Sequence, residues 1–144
     1  MVIYYVVSTT TPSVADCLRL RAESGLTPKT PAQAEAALPG SWAACHVVHQ
    51  ATNQTVAMGR VIGDGGWYFH IVDMAVLPAH QRRGLGDLML THLLAVIRQA
   101  TPTGAYVSLM ADTPGRRLYE RHGFQPTAPP SIGMAQVTDT ATSE

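Results

Sequence analysis

A single lysine, Lys29, serves the whole chain, and charged residues of every kind make up only 14% of its 144 positions. Ten basic residues balance ten acidic ones, so the formal net charge is zero and no broad basic field exists to hold a phosphate backbone. A general nucleic-acid binder is disfavoured on that ground. Cysteine is as scarce. Cys17 and Cys45 sit inside apolar patterns, one on an expected helix and one on an expected strand, which is neither a disulfide framework nor a metal-type spacing. No apolar run approaches the roughly 20 residues that a membrane span needs. The stretch Val2 to Val7 is too short for a signal peptide and lacks its basic flank. A soluble cytoplasmic protein with no metal and no membrane partner is expected.

What is present is a 46% hydrophobic content, ample for one packed core. One domain over residues 1–137 is expected, followed by a small, polar, frayed tail over 138–144. Val2 to Val7 is a run of β-formers. Thr11 and Pro12 then offer an N-cap and a first helical residue for a helix that stops at Gly25. A loop from Thr27 to Pro31 leads into a short Ala-rich helix ending near Pro39. Strand-like runs follow at Ala43 to His49, Val56 to Ile62 and Trp67 to Leu77, an antiparallel meander. After Pro78, Leu85, Leu88, Met89, Leu93, Val96 and Ile97 recur at the spacing of a helix with one buried stripe. Ala105 to Met110 reads as a strand, Thr113 and Pro114 as a cap pair for a helix ending at Gly123, and Ile132 to Val137 as a final strand. The result is an α/β fold: a mixed, mostly antiparallel sheet flanked by helices, with one parallel step where the long strand passes through the central helix.

Two features of this pattern point to chemistry. Gln81-Arg82-Arg83-Gly84-Leu85-Gly86 follows a strand and opens a helix, where backbone N–H groups lack intrahelical partners and the helix dipole is positive. Glycines at 84 and 86 let the backbone approach a bulky pyrophosphate. Met89 stands where a dinucleotide loop has its third glycine, and the Lys-Ser/Thr ending of a Walker loop is missing, which weakens both nucleotide readings. Asp73, in turn, interrupts an apolar strand and needs a partner or a function, so it is the leading general-base candidate.

Val72-Asp73-Met74-Ala75-Val76-Leu77-Pro78, followed by Gln81 to Gly86, resembles the acetyl-CoA motif of the GNAT superfamily, and Leu118-Tyr119-Glu120-Arg121-His122-Gly123-Phe124 resembles that family's closing signature. The resemblance covers about Val56 to Phe124, with modest similarity to the glucosamine-6-phosphate acetyltransferase type. It implies a GNAT fold with splayed strands at the parallel step. Met74, Ala75 and Val76 would present backbone groups to the pantetheine arm, with a bulge freeing the N–H of Met74 or Val76 for an oxyanion. Arg82, Arg83, Gly84, Leu85, Gly86 and Asp87 would cradle the pyrophosphate, the Asp87 side chain turned away as a capping acid. Asp112 stands where many relatives have asparagine and would either accept from a pantetheine amide or cap the next helix. Tyr119 would be the general acid at the cofactor sulfur.

The implied activity is transfer of acetyl from acetyl-CoA to an amine, with Asp73 or a water relay as base and a small-molecule acceptor. His70 is a second base candidate, and His46, His49, Trp67 and Tyr68 are acceptor-pocket candidates. A catalytically idle acyl-CoA-binding module and a protein or peptide N-acetyltransferase remain as alternatives, and a homodimer is compatible with the resemblance.

Overall fold

The structure is a computed structural model and describes residues 4–138. Its elements run β1 (Tyr5–Ser8), α1 (Val14–Glu23), α2 (Pro31–Ala37), β2 (Ala43–His49), β3 (Gln54–Gly63), β4 (Tyr68–Val76), α3 (Leu85–Ala100), β5 (Tyr106–Leu109) and α4 (Arg116–Arg121). The five strands lie side by side in chain order. β1 to β4 are antiparallel, and β4 pairs β5 in parallel because α3 carries the chain back between them.

Consecutive positions on β3 show how the layers are arranged. A Cβ on Gly59 would meet Leu93 of α3, whereas the next residue, Arg60, reaches Ala37 at the end of α2 and Ser41 just after it. Side chains alternate across a strand, so α3 covers one face of the sheet while α1 and α2 cover the other. One contiguous core joins Leu20 of α1, Cys45 and Val47 of β2, Val56 to Met58 and Val61 of β3, Phe69 and Ile71 of β4, and Met89, Leu90, Leu93 and Ile97 of α3. Each Val, Leu, Ile, Phe or Met side chain among them, fully buried, contributes about 1.5–3 kcal/mol relative to exposure. Burial also pushes the Cys45 thiol up to about 12, which leaves it an inert apolar group.

Three details differ from the sequence expectation. The cap of α1 is Ser13, whose hydroxyl accepts from the Asp16 amide at 3.1 Å, not Thr11. On α3 the buried stripe contains Leu90 and Leu94 but not Leu88, which is 45% exposed. At 3.6 residues per turn the stripe through Leu85, Met89, Leu93 and Ile97 leaves Leu88 on the far side. Residues Ile132 to Val137 form no strand. They follow β5 and α4 without meeting a sheet edge, and Ile132, Met134 and Val137 stay exposed. The part of the first strand at Val2 and Ile3 and the tail over 139–144 lie outside the described residues.

Gly63 closes the β3–β4 hairpin under tight constraint, because a Cβ there would sit 2.1 Å from the Tyr68 carbonyl oxygen. Backbone cannot step aside as a side-chain tip can. Gly63→Ala is expected to lower stability by about 1–3 kcal/mol, read as a lower urea midpoint at unchanged m-value; an unmoved midpoint would show that the hairpin has room.

Candidate active site

The pairing of β4 ends early on one side. Ile71 is the last residue matched to β5, so Val72 to Val76 run on with no strand beyond them. On the other side Val72 faces Arg60 and Ala75 faces Met58, which leaves Asp73 and Met74 together opposite the single residue Gly59. This is a β-bulge. Asp73 takes φ 57, in the left-handed region that aspartate and asparagine enter more readily than other side chains. A Cβ on Gly59 would lie 2.5 Å from Met74 Sδ, so the glycine makes room for the Met74 side chain on the α3 face.

Past the bulge the backbone turns its groups toward the open side. The Leu77 amide donates to the Val56 carbonyl at 2.9 Å, marking a hydrogen-bonded pair, and in antiparallel alternation the preceding pair, Val76 with Ala57, points its N–H and C=O groups outward. Gln81 Nε2 accordingly reaches the Val76 carbonyl from that side at 3.1 Å, and the Val76 N–H faces the same gap.

At the end of β4 the start of α3 supplies further donors. The Leu88 amide, bonded to the Gly84 carbonyl at 3.0 Å, begins the helical ladder, so the N–H groups of Leu85, Gly86 and Asp87 precede it. Gly84 at φ 81 is the N-cap and offers no side chain to cap them, and Arg82 at φ 62 turns the approaching chain. A single cleft of about 1230 Å³ joins this helix start to residues Val72 to Val76 and to Tyr119 on α4.

Among the residues singled out from the sequence, Asp73, Met74, Ala75, Val76, Arg82, Gly84, Leu85, Gly86, Asp87, Asp112 and Tyr119 all line that cleft, and so does His70, which is bonded to Ser108 Oγ at 2.8 Å. Arg83 does not. Its Nη1 donates to the Tyr5 hydroxyl at 2.8 Å, and that hydroxyl is 2.7 Å from His80 Nδ1. Burial, then His49 and Arg83, depresses the His80 pKa, which suits an Nδ1 accepting the Tyr5 proton. The contact holds the loop before α3 against β1. His46, His49, Trp67 and Tyr68 line neither this cleft nor the cavity described below.

Gly86 has a structural duty as well: a Cβ there would lie 2.9 Å from Leu118 Cδ2, so its absence seats α4 close to α3. The Asp87 carboxylate leaves the helix start and accepts from Arg121 Nη2 and His122 Nε2, each at 2.9 Å. Those two bonds, His122 first, lower its pKa; the contact is therefore complete above the ordinary carboxylate range and is lost as pH falls through the depressed value. Asp112 stands at the N-cap position of the turn Thr113–Gly115, but its side chain makes no capping bond. It acts instead through charge: burial first, and then the Asp112 carboxylate, raises the Tyr119 phenol above its ordinary 10.0.

Two residues of this region were not singled out from the sequence. Arg21 Nη1 donates to Asp73 Oδ1, and Arg60 Nε donates to Asp73 Oδ2 at 2.6 Å, with the three side chains 12%, 13% and 12% exposed for Arg21, Arg60 and Asp73 respectively. Arg21 also holds the Thr27 carbonyl at 2.9 and 2.6 Å, and Arg60 holds Ser41 Oγ at 3.0 Å. Beside them lies a second cavity of about 240 Å³ under α1 and α2, with Asp73 in the wall it shares with the cleft. The signal for Arg60 was the one that exposed Asp73, a lone charge in an apolar strand. Among the described residues no group of three or more metal-ligating side chains is gathered.

A family model described as an acetyltransferase (GNAT) domain matches residues 41–126. A solved structure from meticillin-resistant Staphylococcus aureus, of a protein of unknown function described as a probable acetyltransferase, is 38% identical over 93% of this chain and 99% of that one, with a TM-score of 0.88. The fold is shared with glucosamine-6-phosphate N-acetyltransferase from Arabidopsis thaliana, at 17% identity over 93% and 99% of the two chains and TM-score 0.69. It is shared too with the ribosomal-protein-S18-alanine N-acetyltransferase from Escherichia coli, at 15% identity over 85% and 80% and TM-score 0.68. None of the curated proteins matches the sequence.

Asparagine keeps the shape of Asp73 and tolerates its left-handed backbone, so Asp73→Asn isolates the charge. Two largely buried guanidiniums are then left uncompensated, and a loss of about 3 kcal/mol or more is expected in urea unfolding. A residue that served only to take a proton would leave stability unmoved.

Proposed function

The chain belongs to the GNAT acetyltransferase family, and from that premise we propose that it transfers an acetyl group from acetyl-CoA to the amine of a small molecule, acting as a cytoplasmic enzyme of one domain. The observation that carries this reading is the single cleft in which the open edge of β4, the uncapped start of α3 and Tyr119 come together. An open strand edge suits an amide-bearing arm laid along it as an added neighbour. The free N–H groups of Leu85, Gly86 and Asp87 suit a pyrophosphate, as donors that need no side-chain cation.

Acetyl-CoA supplies an activated thioester carbonyl. The chain's own atoms do the rest. The Val76 N–H, turned into the cleft, is placed to donate to oxygen charge that develops on the carbonyl during attack. The amine nitrogen forms the new C–N bond as the C–S bond breaks. Tyr119 gives its proton to the leaving sulfur and regains one from the amine through water. Both Asp73 oxygens are already engaged by arginines, so we assign Asp73 to positioning and the departing amine proton to a water relay. The acceptor enters from the side of the 240 Å³ cavity, a volume below the roughly 300–1,000 Å³ of drug-sized sites. That size favours a small amine over a peptide.

Calorimetry with acetyl-CoA is the direct test, and no binding at millimolar concentration would remove the reading. Tyr119→Phe keeps the ring packed beside Phe124 and removes only the hydroxyl. Its kcat is expected to fall by about 10²–10⁴-fold with little change in acetyl-CoA affinity. Because the folded phenol titrates above 10.0, its proton is retained throughout the neutral range. The stability that comes from keeping it neutral is present below 10.0 and lost as pH rises through the raised value. The alkaline limb of the wild-type rate profile is accordingly expected above pH 10.0 and absent in Tyr119→Phe.

A further inference from the structure

We propose that the cavity under α1 and α2 receives an anionic group of the acceptor, so that the substrate class is a small primary amine that also carries a carboxylate or a phosphate; this rests on the acetyl-transfer reading above. The cavity gathers Arg21, Arg60 and Lys29 against the single carboxylate of Asp73. Lys29 is the chain's only lysine, and its place is the α1–α2 connection at the cavity's rim. It is exposed and has no ion-pair partner among the described residues. Asp73 neutralises one of the two largely buried guanidiniums, and the positive charge left over is costly to hold away from water unless an anion meets it. The remaining wall includes Leu18, Ala34 and Leu38, which are apolar and strengthen the interaction of any charge inside, and the volume of about 240 Å³ limits the ligand's size.

The same arrangement fixes which end of the ligand points where. An anion is drawn to the guanidiniums and Lys29 that line the cavity and an ammonium is repelled by them, so the anion sits in the cavity and the amine is left on the side of the cleft, with which the cavity shares Asp73. Neighbouring cations also disfavour the protonated form of a bound amine. The cavity thereby prepares the neutral nucleophile without requiring a strong base. This accounts for a site whose one central carboxylate is already occupied by two arginines.

The test compares kcat/KM, by release of free CoA, for two matched pairs of amines that differ in the anion: β-alanine against β-alaninamide, and O-phosphoethanolamine against ethanolamine. The anionic member of at least one pair is expected to be preferred by about tenfold or more, the size of one charge-assisted hydrogen bond. Which pair shows it separates carboxylate from phosphate. Lys29→Gln, at an exposed position, is expected to raise the KM of the preferred anionic amine several-fold more than that of its uncharged twin. Equal kcat/KM within both pairs, or a Lys29→Gln effect equal on both twins, overturns the proposal and leaves acetyl transfer standing. Bound acetyl-CoA with no turnover of any of the four overturns it as well. Failure to bind acetyl-CoA at all removes the acetyl-transfer reading, and this inference with it.

Discussion

The left-handed turn of the backbone at Asp73 governs most of what surrounds it. By placing two residues opposite Gly59 it breaks the regular ladder between β3 and β4 and shifts the strand beyond it by one position. With β5 pairing only as far as Ile71, the strand after the bulge is held on one side and open on the other. An open edge in a sheet normally invites another strand. Here the edge is short and lies in one cleft with the start of α3, and on the proposed reading it is the cofactor's arm that is laid along it.

The bulge also decides which way two adjacent side chains go. Met74 turns to the α3 face, in the space that Gly59 leaves, and Asp73 turns to the opposite face, where Arg21 and Arg60 meet it. Those arginines come from α1 and β3, and their remaining donors fasten the Thr27 carbonyl and Ser41. One carboxylate thus fixes the helical layer, the sheet and the connection between α1 and α2 to one another. Charge taken from water at that depth is stable only with its partners in place.

Much of this was legible in the sequence because it depends on local pattern. The periodicity of α3 and the glycines at its start each announce themselves within a few residues, and residues of the two spaced motifs that resemble the GNAT family line one cleft. The lone carboxylate in an apolar strand marked Asp73 as a residue with unfinished business. Its partners were not legible, since Arg21 lies 52 positions away and Arg60 13, and no short-range rule joins them. The same limit hid the service of Gly86 to Leu118 and the tie from Arg83 to Tyr5, both set by tertiary packing. Ile132 to Val137 failed in the other direction: apolar residues make a strand only where the chain pairs with a sheet edge, and this segment follows α4 without pairing to one.

On the proposed reading, backbone and side chain divide the work: the main chain meets the cofactor and side chains meet the acceptor. Groups that face the open β4 edge and the start of α3 are main-chain N–H and C=O, which substitution leaves in place so long as the bulge and the helix start persist. They fall within residues 41–126, the region that the family model matches. Arg21 and Lys29 lie before it, on α1 and the connection to α2, whereas Arg60 of the same cavity lies within it. On the proposed reading, then, the matched region holds the cofactor and one wall of the acceptor cavity, and the segment ahead of it supplies the cavity's other cations. Asp73 stands where the two meet: its backbone shapes the cleft and its carboxylate orders Arg21 and Arg60. On the same reading a change in acceptor preference falls to side chains on α1 and the following loop, whereas the carboxylate that anchors Arg21 and Arg60 is constrained from both directions.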